Sequence, residues 1–455
     1  MRTDSLAFAC HHHDPITRTG IGLALFWMLV GGPAILSAQG APRSGERPLA
    51  LAEATARALA NNIELRVTRA DTGLALAELV GSRLRPNPSL AVEYLSNGDG
   101  RVSLTQDLQL WGVRGYRIRA AKLGQERTRF AALDAERRVR QEVTAAYREL
   151  LFLDQRVALL DSLARLNERV ARVAKLAFQQ GLGSELDDRL SLATYQQSLL
   201  DRDAAARELE AGQIDLARLL GDSLTTVYRL TDSLPAAGLR FLLASSVDSS
   251  TAPVRYAVDQ PRLDSLIQRA MGQRPDLHAA QYDVNAQRAT LAAAQAAGKP
   301  TVAVGAIYGR TRDDVATAGT TQSTADNGFG LGLVVGLPFG NRNQGEVARA
   351  RFAGEAATLR LANVRQTVER DIRVAVARVA LAASQLETLR RIVLPTNQSA
   401  LRIAAAAFGR GQVNIFQVLQ VQRTYADATT ALLDASRRYA TSLADLEAAV
   451  GAPVQ

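Results

Sequence analysis

The residues of this chain best placed to do chemistry are three carboxylates, Glu185, Asp187 and Asp188, set directly behind Gly181-Leu182-Gly183-Ser184. Acids grouped on one turn attract cations, and rotational symmetry would gather them into a ring about an axis. At a helix start the same residues also simply complement the N-terminal dipole. Other chemistry is poorly supplied. The single cysteine is Cys10, and beyond residue 38 the only histidine is His278 and the only methionine Met271, a set that builds no metal site. No Ser-His-Asp set, phosphate loop or paired-carboxylate cleft stands out, so neither an enzyme nor a bound cofactor is expected.

The carboxylates belong to one of two matching turns. Phe178, Gly181, Leu186, Tyr195 and Gly221 recur 230 residues later as Phe408, Gly411, Phe416, Tyr425 and Gly451. Upstream, Arg57-Ala58 and Leu65 match Arg269-Ala270 and Leu277, and Arg85-Pro86 matches Lys299-Pro300. A duplication of about 200 residues is too long for a solenoid unit and implies two homologous halves of one architecture.

Each half, 49–221 and 261–451, has the same order of segments. An opening helix (about Leu49–Leu84; about Arg262–Ala297) stops at Pro86 or Pro300. Two alternating stretches follow, 89–96 with 101–109 and 301–309 with 329–337. A long helical run comes next, 113–180 or 344–410. After a turn, a return helix covers 184–221 or 414–450. At ~1.5 Å per residue the run from Val113 would reach about 100 Å as one helix, and its apolar positions recur about every 3.5 residues, the period of a left-handed coiled coil. Such helices need neighbours along nearly their whole length.

The alternating stretches point to a bilayer. Val102, Leu104 and Leu108 alternate with Ser103, Thr105 and Asp107; Phe329, Leu331, Leu333, Val335 and Leu337 alternate with Gly330, Gly332 and Gly336. Their lengths approach the roughly 9 to 11 residues that cross hydrocarbon as a tilted strand. Four strands cannot close a water-filled barrel, and open strand edges cannot persist in lipid, so the membrane reading requires oligomerisation, and three chains would supply twelve strands; the alternative is soluble hairpins packed against the helices. The segment Arg310–Gly328, rich in Thr, Asp, Ala and Gly, reads as an exposed irregular loop. Residues 222–260, with Pro235, Pro253 and Gly238, read as an irregular inter-repeat segment that could belt the helices.

Residues 1–38 read as a secretory signal peptide with an apolar stretch Ile21–Leu36, residues 39–48 as a linker, and 452–455 as a tail. A mature chain without cysteine has no disulfides. The net charge of +9 comes almost wholly from Arg, with Lys122, Lys175 and Lys299 the only lysines. Arg scattered among Asp and Glu along helices, without interleaved exposed aromatics, argues against nucleic-acid binding.

The order helix, strand pair, very long helix, glycine turn and return helix, given twice, resembles the TolC family of outer-membrane efflux proteins. Residues carrying the resemblance are Leu51-Ala52-Glu53-Ala54 with Ala58-Leu59 and Asn62, then Arg85-Pro86-Asn87-Pro88, Leu110-Trp111-Gly112, Leu337-Pro338-Phe339-Gly340 and the two Phe-x-x-Gly turns. The Leu-Pro-Phe-Gly and Pro-Asn-Pro forms look closest to the heavy-metal and drug-efflux branches that work with resistance-nodulation-division (RND) pumps. The resemblance implies a mainly α fold with a small β part. In it, antiparallel coiled-coil helices form an α-barrel and four strands per chain contribute to a trimeric twelve-stranded β-barrel in outer-membrane lipid.

The same resemblance implies partners: a periplasmic adaptor of the membrane-fusion type and an inner-membrane transporter of RND type. The turns Gly181-Leu182-Gly183-Ser184 and Gly411-Gln412-Val413-Asn414 become candidate adaptor-docking tips. Glu185, Asp187 and Asp188, with Gln417 and Gln420 in the second repeat, become a candidate periplasmic gate. The second turn departs from the family, whose two carboxylates three residues apart are here Gln417 and Gln420. The implied role is a passive export conduit in a tripartite efflux system. The alternatives are the outer-membrane component of type I protein secretion and, from a different class, a non-conducting periplasmic coiled-coil scaffold or adaptor.

Overall fold

The computed structural model describes residues 47–94, 99–181, 183–233, 243–245, 256–317, 320–410, 412–413 and 415–452. The expected signal peptide, most of the linker, and Leu182, Gly411 and Asn414 of the two turns lie outside these residues. Helices are α1 (Leu51–Asn61), α2 (Ile63–Arg83), α3 (Val113–Gln179), α4 (Glu185–Leu220), α5 (Gln260–Gln273), α6 (Pro275–Ala297), α7 (Gln344–Thr388), α8 (Leu394–Gly409) and α9 (Ile415–Val450). Strands are β1 (Arg47–Leu49), β2 (Ser89–Tyr94), β3 (Gly100–Leu108), β4 (Tyr228–Leu230), β5 (Leu243–Ser245), β6 (Tyr256–Val258), β7 (Thr301–Thr317) and β8 (Thr320–Gly336).

The chain packs as two compact units. One comprises the chain up to Asn62, Arg140–Ser265 and Ile372 onward; the other comprises Ile63–Val139 and Leu266–Asp371. Neither unit is a sequence repeat. Each takes segments from both halves, because α3 and α7 continue through the dividing points.

The first unit has a core rich in small residues. Ala217, Ala380, Ala382, Ala383, Ala435, Ala440 and Ala444 are buried, as are Val143, Leu150, Leu216, Leu220, Val379 and Leu446. Alanine allows close approach of backbones, and the larger residues fill the remaining gaps. Tyr147 is fully buried here, its hydroxyl 2.8 Å from both the Leu49 carbonyl and the Asp232 carboxylate. Asp232 also accepts from the Leu51 amide at 2.8 Å, so it caps α1. Burial, then the Asp232 hydrogen bond, pushes the Tyr147 phenol up to about 12. α4 ends at Gly221 in the left-handed region (φ 72°), where a Cβ would stand 2.7 Å from the Asn61 carbonyl oxygen. Only glycine meets both conditions.

Residues 222–260, read from sequence as irregular, contain ordered short strands. β4 pairs in parallel with β1, and β5 pairs with β6. The predicted uninterrupted helix 344–410 is also corrected. A π-turn, Leu389–Val393, separates α7 from α8 and directly precedes Leu394-Pro395. Proline removes a helical donor and crowds the preceding turn. Here side chains add bonds to carbonyls of the turn, Thr396 to Ile392 at 2.7 Å and Asn397 to Val393 at 2.8 Å.

In the second unit, Val284, Ala357 and Leu361 form a buried cluster against Leu277 and Ala280. The opening helix of each repeat, read as continuous, is broken at matching places, after Asn61 and after Gln273. The residues at the breaks, Asn62 and Arg274, are buried polar groups. The two breaks are held by different partners, one distant in sequence and one local. Asn62 donates to the Leu219 carbonyl at 3.0 Å, and Arg274 forks onto Asp276 at 3.0 and 2.6 Å. This unit also carries a four-stranded antiparallel sheet in the order β2-β3-β7-β8. The expected loop Arg310–Gly328 is instead ladder: Arg310 pairs with Asn327, and pairing continues to Thr317 with Thr320. Thr and Val there favour extended backbone, and an antiparallel pair joined by a short connection extends without further loop-closure cost.

Candidate functional site

The first turn is closed by its own backbone and side chains. As α3 ends, Gly181, at φ 70°, donates to the Phe178 carbonyl at 3.0 Å, and Gly183 donates to that of Ala177 at 3.1 Å. α4 then begins in a reciprocal capping box. The Ser184 hydroxyl accepts from the Asp187 amide at 3.2 Å, and the Asp187 carboxylate accepts from the Ser184 amide at 3.3 Å. The pattern Ser184-Glu185-Leu186-Asp187 is the sequence signal for this box, and it shows what Asp187 does locally. Its other carboxylate oxygen is occluded without a hydrogen-bond partner. Glu185 is exposed and pairs with Arg189 at 3.4 Å; Asp188 is half-buried, its amide 3.4 Å from the Ser184 carbonyl. The three acids are therefore not equivalent: one closes the cap, one is ion-paired, and one keeps its carboxylate outside both arrangements.

The second turn carries no such charge. Arg410 and Gln412 both donate to the Ala407 carbonyl, at 3.2 and 3.0 Å, and Val413 is half-buried. Gln417 and Gln420 are exposed on α9, and the Thr424 hydroxyl donates to the Gln420 carbonyl at 3.0 Å. Among the described residues no group of His, Cys, Asp or Glu is arranged to hold a metal ion.

The sheet provides the other functional surface, and its register fixes two unlike faces. Residues directly opposite in an antiparallel pair share a face. Leu90 faces Leu104, Val92 faces Val102, Val102 faces Tyr308, and Leu104 faces Ala306. On the same face, Tyr308, Ala306, Val304 and Val302 oppose Phe329, Leu331, Leu333 and Val335. That apolar face is left open, with Leu331 84% and Phe329 75% exposed. The other face carries Ser103, Thr105, Asp107, Gly305, Gly330 and Gly332, mostly small or polar, with Ile307 and Val334 as its larger apolar members. The apolar rows end at Arg310 opposite Asn327, and the hairpin continues beyond them with Thr and Asp.

At the opposite end, sequence reasoning identified Trp111 only as part of a motif. The structure shows a cluster: the indole donates to the Pro300 carbonyl at 2.7 Å, and the Lys299 ammonium lies 5.6 Å from the ring centroid. Trp111 itself is half exposed and has φ 60°. Amphipathic aromatics with a basic neighbour suit a water–hydrocarbon boundary. The pairing of Leu-Trp-Gly with Lys-Pro at matching strand ends was the available signal. No helix among the described residues is long and apolar enough to cross a membrane.

Residues 266–452 match the family model of the outer membrane efflux proteins. Over that stretch, which spans the second repeat, the chain is similar to the TolC-type outer-membrane efflux channels. It is 24% identical over 388 residues to the cobalt-zinc-cadmium resistance protein CzcC of Cupriavidus metallidurans, covering 84% of this chain and 85% of that one. It is 24% identical over 420 residues to the outer membrane protein TolC of Vibrio cholerae, covering 88% and 90%. Among solved structures, a membrane protein from Pseudomonas aeruginosa superposes with a TM-score of 0.71 at 20% identity over 88% of this chain and 92% of that one. That likeness concerns the fold.

Proposed function

We propose that the protein is the outer-membrane conduit of a tripartite efflux system, passing drugs or heavy-metal ions outward without chemistry. One observation carries this reading: a four-stranded sheet whose continuous apolar face is open while its other face is mostly small and polar. In water such a face is a liability; in a bilayer it is the required exterior. β2 and β8 are the sheet's edges. Three copies joined edge to edge would close twelve strands, and closure would satisfy every edge amide and carbonyl that lipid leaves unpaired.

Similarity to a cobalt-zinc-cadmium resistance protein supports the heavy-metal and drug branch. On this reading the turns at Gly181–Ser184 and Gly411–Asn414 meet the periplasmic adaptor, and an RND transporter in the inner membrane supplies the cargo. Glu185 and Asp188 remain the gate candidates; Asp187 joins them only through a carboxylate already committed to the cap. The test is planar-bilayer conductance of the purified protein together with its mass in detergent. Stepwise conductance from a particle of three chains, each 48.8 kDa before processing, is expected. A water-soluble single chain without conductance would overturn the proposal.

A further inference from the structure

Between Glu387 and Asp427 the chain has no acidic side chain, yet it holds five arginines: Arg390, Arg391, Arg402, Arg410 and Arg423. The matching stretch one repeat earlier, residues 158–196, balances five acids against five bases. General Arg bias does not account for the difference. With 45 acids in 455 residues, a stretch of this length would hold about four.

The contrast is structural as well. In the first hairpin Arg165, Arg172 and Arg189 pair with Asp161, Glu168 and Glu185, one helical turn before each, at 2.8, 2.8 and 3.4 Å. In the second hairpin Arg391 meets Glu387, at its very edge. Among the described residues, none of the ion pairs involves Arg390, Arg402, Arg410 or Arg423, and all five arginines are exposed. From Arg390 to Arg410 these charges are strung over about 30 Å at ~1.5 Å per residue. Beside Arg402, Ile403 is 69% exposed.

We infer that the second-repeat hairpin, α8 with the first turns of α9, is a docking face for an acidic helical segment of a partner protein. This rests on the conduit reading, which calls for a partner at these turns. Like charges along one hairpin repel each other, and a partner's carboxylates at matching intervals remove that cost while steering association. The linear spacing fits a helix laid alongside, with Ile403 as an apolar contact. A flat anionic lipid surface fits less well. Membrane-surface helices present a broad apolar face, whereas in residues 402–407 exposed Arg402 and Ile403 are followed by buried or partly buried alanines.

The experiment uses the full-length protein in neutral-lipid nanodiscs. The probe is a labelled 20-residue Glu/Ala helical peptide, compared with its Gln/Ala counterpart and with phosphatidylglycerol vesicles. The acidic peptide should bind about tenfold tighter than the amide peptide, weakening with salt. Arg402→Gln/Arg410→Gln/Arg423→Gln should abolish the preference, whereas Arg165→Gln/Arg169→Gln/Arg172→Gln in the first hairpin should leave it within about twofold. Three results would overturn the inference: equal loss in both variants, retained binding in the second-hairpin variant, or stronger attachment to the anionic vesicles. Conductance of the same samples keeps the two readings separable. A conducting protein that ignores the acidic peptide sinks only the docking face, and a non-conducting one sinks the conduit.

Discussion

Ser184 and Asp187 hold each other's backbone amides, at 3.2 and 3.3 Å, so that the turn between the first pair of long helices is locked by two reciprocal bonds. Ser184→Ala removes one acceptor and should lower stability by about 1 kcal/mol, read from denaturant midpoints of the reconstituted protein. Asp187→Asn retains an acceptor oxygen and should cost less. The Asp187→Asn/Asp188→Asn protein therefore tests charge rather than folding. Weaker block by multivalent cations is expected, and unaltered block would remove these acids from any gate.

The Tyr147 phenol predicts an alkaline limit. Its folded pKa is raised to about 12 from 10.0, as is that of Tyr228, in both cases by burial and then by an aspartate hydrogen bond. A raised folded pKa favours the protonated form in the native state. Stability from these groups is thus intact below pH 10 and is lost as pH rises toward 12. Tyr147→Phe should destabilise the protein at neutral pH, by about 1 to 2 kcal/mol, by removing the hydroxyl that bonds the Leu49 carbonyl and the Asp232 carboxylate. It should also flatten the alkaline fall in a pH series of thermal melts; an unchanged fall would count against Tyr147.

Arg274 and Asp276 predict an acid limit. Burial pushes the Asp276 carboxyl up, but the Arg274 hydrogen bonds and charge outweigh it and hold the pKa below the ordinary 3.8. Because the folded value is depressed, the stabilisation is complete above the unfolded pKa and is lost as pH falls through the folded one. Arg274→Ala should cost about 3 to 5 kcal/mol by leaving Asp276 without its partner, whereas the pair of changes Arg274→Met/Asp276→Leu should recover much of that loss. Calorimetry of the two variants distinguishes the outcomes.

The two sheet faces predict opposite responses to one substitution. Leu333, opposite Val304 on the apolar face, should tolerate arginine poorly, losing about 2 to 4 kcal/mol on folding into vesicles. The neighbouring Val334 lies on the other face, opposite Ala303, and Val334→Arg should leave insertion intact while altering ion selectivity. Equal effects at both positions, measured by protection from protease after reconstitution, would contradict the assignment of faces.

Much of this molecule is legible from its residues, and the misses have physical causes. The limits of α3 and α4 follow from unbroken apolar periodicity closed by Gly181 and Gly221, whose left-handed backbone ends a helix wherever it falls. The breaks at Asn62 and Arg274 are hidden because neither residue is a helix breaker; each break is held by a distant carbonyl or by a fork onto Asp276. The continuation of β7 and β8 past Arg310 is hidden for a related reason. Its Thr and Asp residues alternate nothing apolar, and only cross-strand pairing makes them a ladder.

Sequence by itself determined the duplication, the helix-strand-helix order, the amphipathic strands and the charge imbalance between the two hairpins, because these depend on residue type and spacing along one chain. Tertiary structure alone decided three things. It set which of the three acids closes a cap, which strand rows share a face, and that each compact unit draws on both repeats. All three depend on groups distant in sequence or on backbone geometry at a turn, and periodicity carries no information about either.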